Sequence, residues 1–373
     1  MNILHIYKDY HPVLGGIENH IRLLAEAQAA RGHRVTVLVT SRGAHTEALD
    51  FNGVRVVKAA RLATIASTPV SLALPWLLRC QHADVVHLHF PYPVGEVSQW
   101  LLRRGRATVL TYHADIVRQA TILRFYLPLM QRILRFVNAI IIASPPMRAS
   151  IYLARHQDKL RLIPYGIPLQ RFQSMPAEPD LARVRALHLT EAPPSPTLLF
   201  VGRLRYYKGL ETLIQALPQI PARLLVAGSG PMAEAWQALA RATGVAERIS
   251  WLGDVPDEDL PTLYHLADLF VLPASHTSEA FGLVQVEAMA AGLPVVCTEL
   301  GTGTSYVNIH GETGLVVPPR DPQALAAAIN TILADPDLRA RLGEAGRRRA
   351  EREFNLPTMV ERVLALYDEL LAT

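Results

Sequence analysis

The chain has 373 residues, two to three times the usual domain length, so two domains are expected and a single small module is excluded. Half of it is hydrophobic and 19% charged, a globular composition without long disordered tracts, and no uninterrupted apolar run reaches the roughly 18 residues that span a bilayer. The formal charge of +4 is uneven: residues 1–180 carry 21 Lys and Arg against 11 Asp and Glu, and residues 181–373 carry 16 against 22, so the first half suits phosphate-rich ligands, anionic lipid or nucleic acid.

The opening MNILHIYKDY reads as a strand without the basic and apolar regions of a secretory signal, which gives the expectation of a cytoplasmic protein. Continuous apolar strands of the kind buried on both faces of a parallel sheet follow at Ile3–Tyr7, Val35–Thr40, Val54–Lys58, Val85–His89, Thr108–Tyr112 and Ala139–Ala143. Between the first two, Ile17–Ala30 places Ile21, Leu24, Ala25 and Gln28 at helical spacing, and Gly32 ends the helix. His87 and His89 stand two apart on one strand and share a face, a metal-ligand spacing that is read instead as packing or crevice hydrogen bonding because no second set of ligands accompanies it. Cys80 and Cys297 are too far apart for a disulfide framework and are read as buried packing residues.

From Ile116 to Gln157 no acidic residue occurs, while Arg118, Arg124, Arg132, Arg135, Arg148 and Arg155 alternate with apolar residues such as Ile122, Leu123, Phe125, Met130, Ile133 and Leu134. The stretch reads either as a basic amphipathic segment on anionic lipid or as a core helix with a solvated cationic rim. A proline-rich stretch, Ser174–Pro196, with a short helix at Asp180–Leu187, reads as an interdomain connection. A second series of strands follows at Thr197–Gly202, Arg223–Ala227, Ile249–Leu252, Leu269–Leu272 and Pro294–Cys297, again an open α/β pattern. Two such domains facing each other would enclose a cleft at the carboxyl ends of their strands.

Three stretches of the second half carry chemistry. In Val201–Gly209, Arg203 and Lys208 flank a turn before a helix, where two cations oppose the helix dipole unless an anion lies between them. Asp257 and Asp259 imitate a metal-binding Asp-x-Asp but precede a helix, where carboxylates complement the dipole. In Ser275–Glu287, a helix from near Ala280 would aim the amides of Phe281, Gly282, Leu283 and Val284 at an anion, with Gly282 letting it approach closely. Glu279 and Glu287, eight residues apart, would be separated by about 12 Å along that helix, suiting hydroxylated groups on either side of a diphosphate. The plain alternative makes one a dipole carboxylate and the other a solvated residue. GxxxxGK[ST] is absent and no GxGxxG follows a strand, which disfavours ATP hydrolysis and dinucleotide redox chemistry. After Pro357, the residues Met359, Val360, Val363, Leu364, Leu366, Tyr367 and Leu370 form the apolar face of a last helix.

Gly15-Gly16 after the first strand, His113 in TYHAD, the Gly202-Arg203-Leu204 to Lys208-Gly209 turn, Glu279-x7-Glu287 and GETGLVVPP from Gly311 occur in that order. Together they resemble the retaining glycosyltransferases of family 4 over essentially the whole chain. The resemblance implies the α/β GT-B fold: two Rossmann-like doubly wound parallel-sheet domains with a cleft between them, residues 1–175 with a returning helix at 356–373, and residues 176–355. It implies that Arg203 and Lys208 hold a donor diphosphate with the 281–284 amides, that Glu287 takes the ribose hydroxyls, Glu279 the transferred sugar, and His113 a sugar hydroxyl near the reacting carbon, with Gly16 also at the donor. Neither metal nor other cofactor is expected; the implied partners are a nucleotide-sugar donor, a sugar or lipid-linked acceptor and an anionic membrane surface, not nucleic acid. The sequence departs from the family at Gly301-Thr-Gly-Thr-Ser-Tyr306, where a carboxylate is common, and at Tyr165, where asparagine is common. It is most similar to the branch making mannose- and rhamnose-containing bacterial surface polysaccharides. Two other readings share the architecture, a sugar-nucleotide 2-epimerase and a sugar-nucleotide-binding pseudoenzyme.

Overall fold

The computed structural model describes residues 1–13, 15–65, 68–115, 120–188 and 195–372, with backbone alone at 120–125 and 185–188. The chain divides into two compact units, Met1–Gly166 with Leu356–Thr373, and Ile167–Asn355.

In the first unit the strands are β1 (Asn2–Ile6), β2 (Arg34–Thr40), β3 (Glu47–Phe51), β4 (Val54–Ala59), a small hairpin of β5 (Ala63–Ile65) and β6 (Thr68–Val70), β7 (Val85–Phe90), β8 (Ala107–Tyr112), β9 (Ala139–Ile142) and β10 (Leu160–Leu162). All but the hairpin join one sheet in the order β10-β9-β8-β7-β1-β2-β4-β3, parallel except for β3 against β4. Every residue of β7 and β8 is buried, which is why these strands read as unbroken apolar runs. The antiparallel edge strand β3 carries no such run: four of its five residues are exposed, so hydrophobic pattern does not mark it. Register sets His5 of β1 beside His87 of β7, with His89 two residues on and on the same face. The helix Gly16–Ala30 covers that face with Ile21, Leu24 and Ala25, but also with His20 and Gln28, all buried.

The second unit holds β11 (Thr197–Val201), β12 (Arg223–Ala227), β13 (Ile249–Gly253), β14 (Leu269–Leu272), β15 (Val295–Thr298) and β16 (Gly314–Val317). They form a wholly parallel sheet in the order β13-β12-β11-β14-β15-β16. This is the doubly wound Rossmann order, and its central reversal lies between β11 and β14. The first unit repeats it, with the reversal between β1 and β7.

The division of the chain falls at Gly166/Ile167, earlier than residue 175. Ile167 bridges Asn355, and the following helix Gln170–Gln173 packs in the second unit: Phe172 lies edge-on to Tyr264, ring centroids 5.6 Å apart, and its carbonyl accepts from His265 at 2.8 Å. Cys80 is exposed, contrary to expectation, because the helix Ala73–Arg79 ends just before it; Cys297 is buried in β15. In the arginine-rich stretch, Ile116, Arg118 and the side chains of Ile122, Leu123, Arg124 and Phe125 lie outside the described residues. Beyond them, Met130 and Leu134 of the helix Ala120–Phe136 join the core and Ile133 is buried, whereas Arg132, Arg135, Arg148 and Arg155 are exposed. The described apolar face is thus spent on the protein's own core, leaving a cationic rim. Among the described residues no helix is long and apolar enough to cross a membrane.

The helix Leu356–Ala372 packs in the first unit, burying Met359, Val360, Val363, Leu366 and Tyr367 in its core. At roughly 1.5–3 kcal/mol per side chain this burial contributes about 10 kcal/mol, comparable with the whole stability of a domain. Truncation before Leu356 is therefore expected to abolish the cooperative unfolding transition of the first unit in calorimetry. Tyr367→Phe, which keeps the volume but removes a hydroxyl 2.5 Å from His87 Nδ1, should retain the transition and lower stability by about 1–3 kcal/mol.

Candidate active site

Ligands of an open α/β sheet bind outside the carboxyl ends of the strands where the order reverses. In the second unit those ends are Val201 and Leu272, and the segments leaving them dock on each other. Gly209 makes the docking possible: its φ is +65°, and a Cβ there would lie 2.1 Å from the Pro273 carbonyl oxygen. Ser275 N–H donates to the Tyr207 carbonyl at 2.9 Å and its hydroxyl to that of Tyr206 at 3.3 Å.

This docking seats Lys208 against Glu279. Their Nζ and Oε2 are 2.6 Å apart and both residues are only 8% exposed. Burial works against the ammonium, yet the Glu279 carboxylate holds the Lys208 pKa above its ordinary value. The anion that the sequence demanded beside Lys208 is therefore supplied by the protein itself. Glu279 is fixed through its backbone, its N–H donating to the His276 carbonyl at 3.0 Å and its carbonyl accepting from Thr302 Oγ1 at 2.8 Å. Thr302 belongs to the loop in which the family's carboxylate is missing. Glu299, just before that loop, holds it instead by accepting from Gly301 N–H and Ser305 Oγ, each at 2.8 Å.

The following helix runs Leu283–Ala290 and starts later than the expected Ala280. Gly282 precedes it in the left-handed conformation, φ +77°, and a Cβ there would lie 2.8 Å from Leu272 Cδ2, so backbone and packing by themselves require a glycine here. Phe281 also lies before the helix, buried with its ring edge-on to Phe354 at 5.8 Å, while Leu283 and Val284 supply first-turn amides, which have no intrahelical acceptor. Glu287 is half-buried rather than solvated, and its carboxylate accepts from Tyr264 Oη at 2.7 Å. Burial pushes its pKa up to about 7, against the opposing influence of Tyr264, Arg171 and Lys208.

Not every expected residue joins this group. Arg203 lies on the same turn but is exposed, and among the described residues no ion pair or hydrogen bond ties its side chain to the pair. Asp259 sits at the N-cap of the helix Leu260–Leu266 without capping it, because its carboxylate is held by Arg183 at 3.1 and 2.5 Å.

In the first unit His113 follows β8 and is 3% exposed. Its Nδ1 is 2.6 Å from Tyr165 Oη and its Nε2 3.1 Å from His89 Nδ1. The line continues inward from His89 Nε2 to His5 Nδ1 at 3.1 Å, and from His5 Nε2 to Gln28 Oε1 at 2.8 Å. His87 turns aside, to Tyr367 Oη at 2.5 Å and Thr111 Oγ1 at 2.6 Å. The His-x-His spacing thus serves hydrogen bonding. His5–His87–His89 and His20–His89–His113 also hold their nitrogens within 4.8 Å of one another, a separation three metal ligands can have, but the nitrogens of His5, His87, His89 and His113 are all engaged as above. Gly16 opens the first helix, and a Cβ there would meet nothing within 4 Å. Sequence reasoning missed His5, Gln28, His89 and Tyr264 as neighbours of the expected residues; the signal present for the histidines was their place on one face of adjacent strands.

Removing one member of a buried ion pair leaves the other uncompensated, at a cost of about 3–5 kcal/mol. Lys208→Met and Glu279→Gln are each expected to destabilise the second unit by an amount of that order, and the double variant by clearly less than the sum. Chemical denaturation of the four proteins in a double-mutant cycle measures the coupling.

Two family profiles match in tandem, "Glycosyltransferase Family 4" over residues 14–171 and "Glycosyl transferases group 1" over residues 189–349. The D-rhamnosyltransferase WbpZ of Pseudomonas aeruginosa is 38% identical over 359 residues, covering 95% of this chain and 92% of that protein. The O-antigen chain mannosyltransferase C of Escherichia coli is 35% identical over 375 residues, covering 100% and 99%. Among solved structures, sucrose-phosphate synthase from Thermosynechococcus elongatus matches with a TM-score of 0.80 at 29% identity, covering 100% of this chain and 99% of that one. Anabaena HepE in complex with UDP-glucose matches in fold with a TM-score of 0.79 at 21% identity, covering 99% and 100%. With its two Rossmann units, the tandem profiles and relatives aligned from end to end, this chain belongs to the GT-B glycosyltransferases of the family 4 type.

Proposed function

We propose that the protein is a retaining hexosyltransferase that moves a sugar from a nucleoside-diphosphate donor, GDP-mannose-like or a UDP-hexose, to a sugar or lipid-linked acceptor in surface polysaccharide synthesis. The observation that carries the reading is the buried Lys208–Glu279 pair at the β11/β14 reversal, within electrostatic reach of Glu287. The names of the rhamnosyl- and mannosyltransferase relatives support the sugar class, and the UDP-glucose bound to the Anabaena protein supports the donor class.

In this reading the diphosphate takes the place of Glu279 on Lys208, and the released carboxylate accepts hydrogen bonds from the sugar. The 283 and 284 amides meet the phosphate, Arg203 approaches from the exposed side of the turn, and Glu287 accepts from the ribose hydroxyls. The acceptor hydroxyl attacks on the face from which the diphosphate departs, and a phosphate oxygen takes its proton. Charge developing on the leaving group is stabilised by Lys208 and the amides, so no metal is required. The exposed Arg132, Arg135, Arg148 and Arg155 offer a cationic face to a membrane that presents a lipid-linked acceptor.

A panel of donors, incubated with and without acceptor and with EDTA, tests the reading by released nucleoside diphosphate and by the anomeric configuration of the product. Acceptor-dependent release that survives chelation is expected; a sugar epimerised without acceptor means the epimerase. Lys208→Ala should lower turnover by about a hundredfold or more, since a charge-assisted contact to the leaving group is worth roughly 3 kcal/mol in the transition state.

Glu287 gives this reading a pH signature. A carboxylate accepts both ribose hydroxyls, whereas a carboxylic acid spends one oxygen on its proton. With a pKa near 7, donor affinity is expected to fall about eightfold from pH 7.5 to 6, and Glu287→Gln to remove the dependence, as read by calorimetric titration. Stability moves oppositely. The folded protein holds this proton more tightly than the unfolded chain, so the group's contribution is greatest below pH 4.5 and is lost as pH rises through 7.

A further inference from the structure

The line from Gln28 to Tyr165 has a polarity that its inner end determines. A neutral imidazole carries one N–H and one lone pair, and burial keeps these rings neutral, with His5 pushed down to about 4 and His89 and His113 well below their ordinary value. Gln28 Oε1 can only accept, so His5 Nε2 bears the hydrogen and His5 Nδ1 the lone pair. His89 Nε2 must then donate to His5 and its Nδ1 accept; His113 Nε2 must donate to His89, and its Nδ1 accept from the Tyr165 hydroxyl. The geometry fits an edge-to-edge chain rather than face stacking. Ring centroids are 5.3 Å apart at both His–His steps, with planes inclined by 25° and 17°, while the facing nitrogens are 3.1 Å apart.

We propose that Gln28, His5 and His89 are positioning residues that fix His113 in a single tautomer, with Nε2 protonated and Nδ1 bare, and that Tyr165 occupies that bare nitrogen in the donor-free protein. His113 then meets the donor as a neutral hydrogen-bond acceptor for a sugar hydroxyl, which displaces the phenol, and not as an acid. This last step rests on the sugar-hydroxyl role that the family resemblance gives His113, taken together with the reaction proposed above; the tautomer itself does not. Exposure rises along the line, from 0% at Gln28, His5 and His89 to 3% at His113 and 7% at Tyr165, so the order imposed in the core is delivered at its outer end. Tyr165, which stands where the family commonly has asparagine, is on this account the residue that holds the acceptor nitrogen in reserve.

Long-range proton–nitrogen spectra of the full chain, labelled with 15N-histidine, read each tautomer directly at pH 7. His5, His89 and His113 are expected to show protonated Nε2 and bare Nδ1. Gln28→Glu keeps an acceptor and should leave that pattern intact. Gln28→Met removes the acceptor, frees the polarity of the line, and should bring up the Nδ1-protonated form of His113, with donor KM raised several-fold and restored in Gln28→Glu. His113 protonated at Nδ1 in the wild-type protein, a His113 tautomer indifferent to Gln28→Met, or stoichiometric zinc held by His20, His89 and His113 overturns the proposal. A switched tautomer with unchanged donor KM overturns only the part given to His113 in the reaction. The wild-type spectrum decides the tautomer even if Gln28→Met fails to fold.

Discussion

Two opposite charges buried 2.6 Å apart set the terms for the second unit. Each ion taken from water costs several kcal/mol, and Coulomb attraction offsets that only in close geometry. The geometry in turn depends on backbone contact: the turn after β11 reaches Pro273–Ser275 only because Gly209 has no side chain, and the 299–305 loop must brace Glu279 from the other side. A site so arranged is assembled before any ligand arrives. Lys208, buried as it is, needs an anion beside it at all times, and Glu279 supplies one.

The first unit has the same strand order and solves the corresponding problem without charge. At its own reversal, between β1 and β7, the imidazoles of His5, His87 and His89 are held neutral by burial, each with both nitrogens hydrogen-bonded to neighbouring side chains. Strand register does the positioning, since His5 and His87 are direct neighbours and His89 falls on the same face. Lys and Arg outnumber Asp and Glu by 21 to 12 in this unit, but the surplus is displayed on the surface, at Arg132 and Arg135 among others, and not among these buried histidines. Long-range field and local chemistry are separate here.

What the sequence displayed well were features with local causes. Strands buried on both faces are continuous apolar runs, and Gly32 ends the first helix at φ +84° as its position implied. The family resemblance alone gathered Glu279, Lys208 and Glu287 around one donor, and residue spacing did not. That Lys208 and Glu279, 71 positions apart, pair directly with each other was not legible until the turn was docked. The helix start was misplaced because Phe281 and Gly282 continue an apolar pattern, whereas the left-handed backbone at Gly282 forbids a helix there. β3 and β16 escaped notice because one is an exposed edge and the other a four-residue strand inside a motif read for its chemistry. The chain leaves the first unit at Ile167, before the proline-rich stretch, since a boundary follows packing partners and not punctuation.

The returning helix also imposes an order on synthesis. Met359, Val360, Val363, Leu366 and Tyr367 belong to the core of the unit that begins at Met1, yet they follow all 189 residues of Ile167–Asn355. At ribosomal rates of about 5–20 residues per second, that core waits roughly 10–40 s for its last helix, with an apolar face and the His87 ring uncovered. The second unit has every residue it needs by Asn355 and is free to fold first. Nascent chains of this protein therefore run against the usual N-to-C order, and it is the opening half that stands open to chaperones.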